Sequence, residues 1–448
     1  MSVLVRRIVT WSTLVAFSNI VLWAFQTSLP ALVSVMLAVI GLVFYCLVNI
    51  NPAWHRPALP EKRLVTLANG YELLLAAGVC LLCDVVCWVW LLATGTMAVP
   101  DPVFVGNIVF GVVLAGIMAL GGFLRLCFRS SQISVTTKIL VALTWWFVPL
   151  TVVLLGRAGR TANRELATAV ARAQRDRLRA NDNICRTRYP MLLVHGIFFR
   201  DWQHFNYWGR IPAALTRNGA TIFYGGQQSA ASVADSAAEL ASVIDRIVAE
   251  TGCGKVNIIA HSKGGLDARW AISQLGSADK VASLTTVNTP HRGCEFARQL
   301  MQRIPQTTTA AIDRKYNALF SRLGDPSPDF LAGLVDLTDT ECARLNTLMP
   351  DVRGVLYRSV GSQMASRFAS PFPLSLGYSL IEPLNGPNDG LVAVSSMPWG
   401  EFLGVVEPHG KQGISHGDMI DLLRQDIGGF DVCEFYVQLV ADLKARGL

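Results

Sequence analysis

The sequence runs to 448 residues, of which 52% are hydrophobic and only 16% charged. That balance excludes a single soluble globular domain and leaves room for two or three domains. The net charge of +7 is no argument for nucleic acid. Much of it sits in short loops and one basic stretch, where anionic lipid is the natural partner.

The apolar excess is local. Five runs, at about 8–25, 30–49, 71–93, 103–124 and 139–156, are each near the 17–25 residues a helix needs to cross a hydrocarbon core. They predict an all-α transmembrane region over 1–156. A cleaved signal peptide is a poor reading of the first run, because a second follows after only "QTSLP". Arg6, Arg7, Arg56, Lys62, Arg63, Arg125, Arg129 and Lys138 all fall in alternate loops, and "QTSLP" and "TGTMAVPDP" carry no lysine or arginine. The N-terminus is therefore expected in the cytoplasm. Five crossings would then place everything after Gly156 on the extracytoplasmic side. The seven arginines of 157–179 run against that placement. Residues 157–188 read as a basic juxtamembrane linker, either a solvated spacer helix or a lipid contact.

Five of the ten cysteines lie in this region, and Cys80, Cys83 and Cys87 recur at helical spacing. Packing roles are favoured over a metal site. Asp84 lies among them; an acid at that depth marks either function or a buried interhelical hydrogen bond. The other five cysteines are an odd number and give no disulfide framework.

From Tyr189 the texture changes. "YPMLLVHG", "ATIFYGG", "KVNIIAHS", "VASLTTVNTP" and "GVLYRSVGS" read as short strands, with the helical "SVADSAAELASVIDRIVAETG" stopped by Gly252. Alternation of this kind predicts an α/β fold, a mostly parallel sheet with helices on both faces. "KVNIIAHSKGGLDARW" places Ser262 on a strand-to-helix turn. A nucleophile elbow demands small residues two before and two after the serine. Ala260 and Gly264 supply them, with His261 and Gly265 beside, although the usual first position is glycine. A serine hydroxyl needs a base, and the base an orienting carboxylate, in the order Ser, acid, His. His416, in "GISHGDMIDLL", is preferred over His409. Asp389, in "GPNDGLVAVSS", is preferred over Glu382. An oxyanion needs two backbone donors. The amide of Lys263 and that of Ile197, in "VHGIFF", are placed to serve.

From about residue 189 to the C-terminus the chain resembles the bacterial family I true lipases, the Pseudomonas and Burkholderia group of triacylglycerol lipases. The likeness rests on "LLVHGI", "NYWGRIPAALTRNGATIF", the elbow with Lys263 where that family often has glutamine, "TTVNTPHRGCEFA", "NDGLVAVSS" and "SHGD". It implies an α/β-hydrolase domain over 189–448, with Ser262, Asp389 and His416 as the triad and Ile197 and Lys263 as the oxyanion amides. It also implies a helical lid within about 294–350. Many members carry a calcium ion that pins the histidine loop. Asp418 matches one ligand, but no aspartate lies between Val352 and Asn388, and Leu422 stands where another ligand would be wanted. No metal and no cofactor are therefore expected, and Asp418 is free to pair with Arg367 or to cap a helix.

The sequence thus predicts a membrane-anchored serine hydrolase of carboxylic esters, most simply lipid esters. Its partners would be the ester substrate and the bilayer, not nucleic acid. An acyltransferase would use the same triad. A membrane scaffold or transporter with an inactive hydrolase-like module is the reading from another class.

Overall fold

The computed structural model describes the chain except residues 1–2, 28, 55, 57–58, 60, 100, 198–206, 229, 296, 299–313, 319–320, 323–326 and 407–411. Two compact units emerge, Met1–Arg175 and Asp176–Leu448.

The first unit is helical. Helices α3 (Ala31–Ile50), α4 (Lys62–Ala93) and α5 (Pro102–Arg129) are each long and apolar enough to cross a membrane. α1 (Val3–Ser18) and α2 (Ile20–Gln26) meet at a 60° bend and count as one further span if taken together. The bend has a local cause. Asn19 leaves helical geometry, and its side-chain amide donates to the Val15 carbonyl, 2.9 Å, competing with the backbone ladder. The same amide and the Ser18 hydroxyl donate to Oδ1 of Asp84, at 2.7 and 2.9 Å. Asp84 is therefore the acceptor that ties the break to α4. Nearby Cys80 is buried and Cys83 exposed.

The fifth apolar run does not form one spanning helix among the described residues. It divides into α6 (Val135–Thr144) and α7 (Val148–Leu178), with a turn at Trp145–Phe147. Pro149, which has no amide hydrogen, fits the first turn of α7 and cannot continue α6. The Thr151 hydroxyl donates to the Thr144 carbonyl, 2.6 Å, across this turn. Val141 and Leu154 then pack together on Phe123. Nor does α7 stop where the basic linker was expected. Ala158, Ala162 and Leu166 are buried against Leu64, Leu67 and Leu126, so 157–175 is part of the helical unit.

The arginines gather at one end. Arg7 and Arg56 both bind Glu72; Arg56 Nε lies 2.8 Å from it. Arg63 donates to Glu165, 2.6 Å, and to the Arg129 carbonyl. Ser130 and Ser131 reach the same Glu165, and Lys138 caps the Cys127 carbonyl. The start of α6 and the middle of α7 therefore lie at the same basic end.

Among the described residues the second unit holds six parallel strands in the order β2-β1-β3-β4-β5-β6. They are β1 (Met191–Val194), β2 (Ile222–Tyr224), β3 (Val256–His261), β4 (Val281–Val287), β5 (Leu356–Ser362) and β6 (Glu401–Val406). β1, β3 and β4 are buried along their whole length, as strands covered on both faces must be. α8 (Ile211–Arg217) precedes β2, and α9 (Val233–Thr251) begins under a Ser232 cap and stops at Gly252, at φ +64°. Its Leu240, Ile244 and Ile247 bury one stripe on Leu192 and Ile258. Each such side chain is worth about 1.5–3 kcal/mol of burial. Strand order reverses between β1 and β3, which sets a crevice at their carboxyl ends.

Much of the segment expected to form a lid lies outside the described residues. Its described part includes helices Phe330–Val335 and Asp339–Leu348. Phe330, Leu334 and Leu345 join Ile197 and Leu266 in one apolar cluster, so this part of the segment packs over the β1 and β3 ends.

Candidate active site

The elbow forms where β3 runs into α10 (Gly264–Gln274). Ser262 stands between them at φ +57°, in the left-handed region that a non-glycine residue occupies only when its surroundings hold it there. Its amide donates to the Val287 carbonyl, 2.9 Å, and its carbonyl accepts from Thr289 Oγ1, 2.8 Å. The small neighbours are required by contact. A Cβ on Gly264 would sit 2.3 Å from the His195 carbonyl, and one on Gly265 2.2 Å from Thr289 Oγ1. A Cβ on Gly196 would meet the Ser262 Cβ at 2.7 Å. Ala260 is fully buried in β3, paired with Val194, and its methyl group is accommodated.

His416 Nδ1 lies 2.6 Å from Asp389 Oδ2, and the His416 amide donates to the Asp389 carbonyl, 2.8 Å. The Asp389 carboxylate is fully buried and accepts three further hydrogen bonds: Asn288 Nδ2 at 2.7 Å, Leu391 N at 2.9 Å and Val392 N at 2.8 Å. With donors on both oxygens the carboxylate has little rotational freedom, and the imidazole inherits that fixity. The His416 ring packs on His261, centroids 4.4 Å apart, directly beside the elbow. Glu382, the alternative acid, is exposed on helix Leu374–Asn385. His409, the alternative base, lies outside the described residues.

Sequence reasoning missed two supports. Asn288, at φ +49°, also donates to Ser362, 2.7 Å, and so links the ends of β4 and β5 to Asp389. Tyr207 accepts the Gly196 amide at 3.0 Å and lies 2.7 Å from His261 Nδ1. That hydroxyl therefore joins the Gly196 amide to the His261 ring at the elbow. Burial, together with the neighbouring His416, holds the His261 pKa well below the usual histidine range. This imidazole is a neutral wall and not a competing base.

Ile197 follows Gly196 at the end of β1, and its side chain anchors in the cap cluster. The Lys263 amide opens the first turn of α10, where backbone donors face the crevice. The Lys263 side chain turns the other way. Its Nζ is buried against Asp267, 2.7 Å, and Ser236, 3.0 Å. Burial pushes the Asp267 carboxyl up to about 7 against the pull of that ammonium.

Asp418 does not pair with Arg367. Its carboxylate accepts from the Ser415 amide, 2.9 Å, and hydroxyl, 2.6 Å, and burial raises its pKa against those bonds. Arg367 instead lies over the Phe368 ring, 4.6 Å from its centroid. The histidine loop is fastened a second time at Asp421, whose carboxylate takes the Arg210 amide and guanidinium at 2.7–2.8 Å. Among the described residues no group of three His, Cys, Asp or Glu side chains is placed to hold a metal.

Residues 189–373 match the α/β hydrolase fold family. A triacylglycerol lipase of Vibrio cholerae is 32% identical over 242 residues, covering 49% of this chain and 76% of that one. A triacylglycerol lipase of Burkholderia plantarii is 28% identical over 280 residues, covering 50% and 78%. Among solved structures the Staphylococcus hyicus lipase is similar at 17% identity and TM-score 0.47, over 58% of this chain and 97% of that one. From Tyr189 onward the chain belongs to the α/β-hydrolase family of triacylglycerol lipase relatives, and it is a serine hydrolase of carboxylic esters.

Proposed function

We propose that this chain is a membrane-anchored lipase or esterase acting through an acyl-enzyme on Ser262. The observation that carries the reading is the His416 ring, fixed at Nδ1 by Asp389 and packed beside an elbow that holds Ser262 at φ +57°. Ser262 Oγ attacks the ester carbonyl while His416 Nε2 takes its proton, and Asp389 stabilises the imidazolium. The amides of Ile197 and Lys263 receive the oxyanion. The carbonyl–oxygen bond breaks, and the departing alcohol takes the proton from His416. Water, deprotonated by the same nitrogen, then attacks the acyl carbonyl; a carboxylic acid leaves and Ser262 is restored. Lipid esters are the favoured substrates because the relatives are triacylglycerol lipases and the same chain carries apolar helices of membrane-spanning length. A fluorophosphonate probe should label the purified protein, and Ser262→Ala and His416→Ala should each abolish labelling. Labelling that persists in Ser262→Ala would move the nucleophile elsewhere and remove this reading; a wild type that takes no label would leave the domain as a binding module.

The proposed side of the membrane rests on a reading of the fifth run. α6 is 10 residues long, about 15 Å at 1.5 Å per residue, half of a hydrocarbon core of about 30 Å. It starts at the basic end, turns at Trp145–Phe147, and α7 is back at that end by Glu165. We read it as a re-entrant hairpin that does not cross. On this reading the count becomes four, taking α1 and α2 as one span, where the sequence led to five and an extracytoplasmic domain. The catalytic unit lies on the cytoplasmic side with the N-terminus, and the seven arginines of 157–179 now obey the charge rule.

A further inference from the structure

The segment between β5 and Asp389 exposes more large apolar side chains than its surroundings require. Phe368 is 83% exposed, Phe372 76%, Leu384 58% and Leu376 47%. All four lie within 17 residues that form one turn and the helix Leu374–Asn385. Isolated exposed leucines are ordinary, but two phenylalanines at this exposure on one turn are not. The segment is also poor in charge. From Gln363 to Asn388 only Arg367 and Glu382 are ionic. Arg367 lies over the ring of Phe368 and so accompanies the apolar tip with a cation.

The position of this patch gives it meaning. Leu374, at the start of the helix, is the neighbour a Cβ on Gly390 would strike at 2.9 Å, and its Cδ1 lies 3.9 Å from where a Cβ on Gly417 would stand. Gly390 adjoins Asp389 and Gly417 adjoins His416. The patch is therefore built on the two loops that carry the proposed acid and base.

We propose that the turn bearing Phe368 and Phe372, with the exposed face of helix Leu374–Asn385, inserts into the headgroup–acyl boundary of a lipid bilayer, so that lipid esters enter the site without crossing water. Several observations select a bilayer as the occupant. The exposed groups are aromatic and aliphatic, as an interfacial segment requires, and the tip carries a cation suited to an anionic leaflet. The same chain holds helices of spanning length, which keep the hydrolase unit at a membrane whatever its orientation. The inference rests on the ester-hydrolase reading for its consequence but not for the contact itself.

The test uses the full chain in liposomes containing a long-chain diacyl ester and anionic lipid, with a water-soluble short-chain ester assayed in parallel. Phe368→Ser/Phe372→Ser should lower turnover of the bilayer ester by about tenfold or more and leave the soluble ester within about twofold. A photocrosslinking phenylalanine analogue at position 368 or 372 should attach to lipid. Equal loss on both esters, unchanged turnover of the bilayer ester, or crosslinking to a second copy or to the cap helices in place of lipid would each overturn the proposal. If the wild type hydrolysed neither ester, the function reading would fall, and the lipid crosslink would still decide the contact.

Discussion

Asp389 and Asp84 are both fully buried carboxylates, one in each unit, and they are served differently. Asp389 sits in a loop at a strand end, where backbone amides are still free; two of its four donors are the amides of Leu391 and Val392. Asp84 sits in mid-helix, where every nearby amide is engaged in the helical ladder. Only side chains can reach it, and Ser18 and Asn19 both choose Oδ1, leaving Oδ2 without a partner among the described residues. Loops at sheet ends can over-determine a charge with backbone donors; a helix interior relies on side chains, as Glu72 does on Arg7 and Arg56 and Asp84 on Ser18 and Asn19 at the break. This is why the chemistry collects in one unit and the bend in the other.

The comparison breaks most visibly at the triad. Ser262→Ala, His416→Ala and Asp389→Asn should each cost on the order of a thousandfold or more in kcat on a soluble ester, and a double variant should be hardly worse than its worse single. Asn288→Ala should cost roughly tenfold to a hundredfold, in kcat and not in KM, because it positions Asp389 without touching substrate. A loss confined to KM would mean that Asn288 faces the substrate. For the helical unit, a C-terminal fluorescent reporter should glow and an alkaline phosphatase fusion stay inactive; an active phosphatase would mean that the fifth run crosses. Asp84→Ala should lower the stability of the helical unit by about 1–3 kcal/mol, by leaving the Ser18 and Asn19 donors unpaired, and leave soluble-ester hydrolysis within about twofold. An unchanged melting temperature in detergent would show that the bend does not need Asp84.

Two smaller effects sharpen the contrast within the hydrolase unit. The Asp267 carboxyl is raised to about 7. A carboxyl whose folded pKa exceeds its unfolded value stabilises the fold at low pH, and that contribution is lost as pH rises toward 7. The melting temperature of wild type relative to Asp267→Asn should therefore fall between pH 4 and pH 7 and level off above it. A flat difference would mean that Lys263 keeps Asp267 ionised throughout. Asp418→Ala should cost about 1 kcal/mol through the lost Ser415 bonds, and activity should withstand EDTA. Loss on chelation restored by calcium alone would show a metal site at the histidine loop.

The sequence made the sheet legible because its strands are apolar and short and its helices carry stops such as Gly252. The geometry of Ser262, Asp389 and His416 could be guessed because each sits at a turn with its own small-residue context. Asn288 and Tyr207 could not be found that way: nothing in "VNTP" or "NYWG" announces a hydrogen-bonding role. Each acquires one only when the sheet brings its strand end beside another. The split of the fifth run was hidden for a different reason. Hydropathy averages over a window, and Trp145, Trp146 and Phe147 are as apolar as the helices they separate. Pro149 was the one local sign. The depth of Asn19 in the first run concealed the bend in the same way.

The proposed re-entrant hairpin at Trp145–Phe147 also bears on how the protein is made. A hydrolase left on the side where it is synthesised need never be threaded unfolded through a translocation channel, and it can begin folding while its ribosome is still attached. It would mature among reductants. Burial pushes the Cys185 and Cys342 thiols up to about 12, where almost no reactive thiolate exists. On the proposed cytoplasmic placement, the yield of the domain in a reducing cytosol should depend on membrane insertion of the helices before it and not on thiol chemistry.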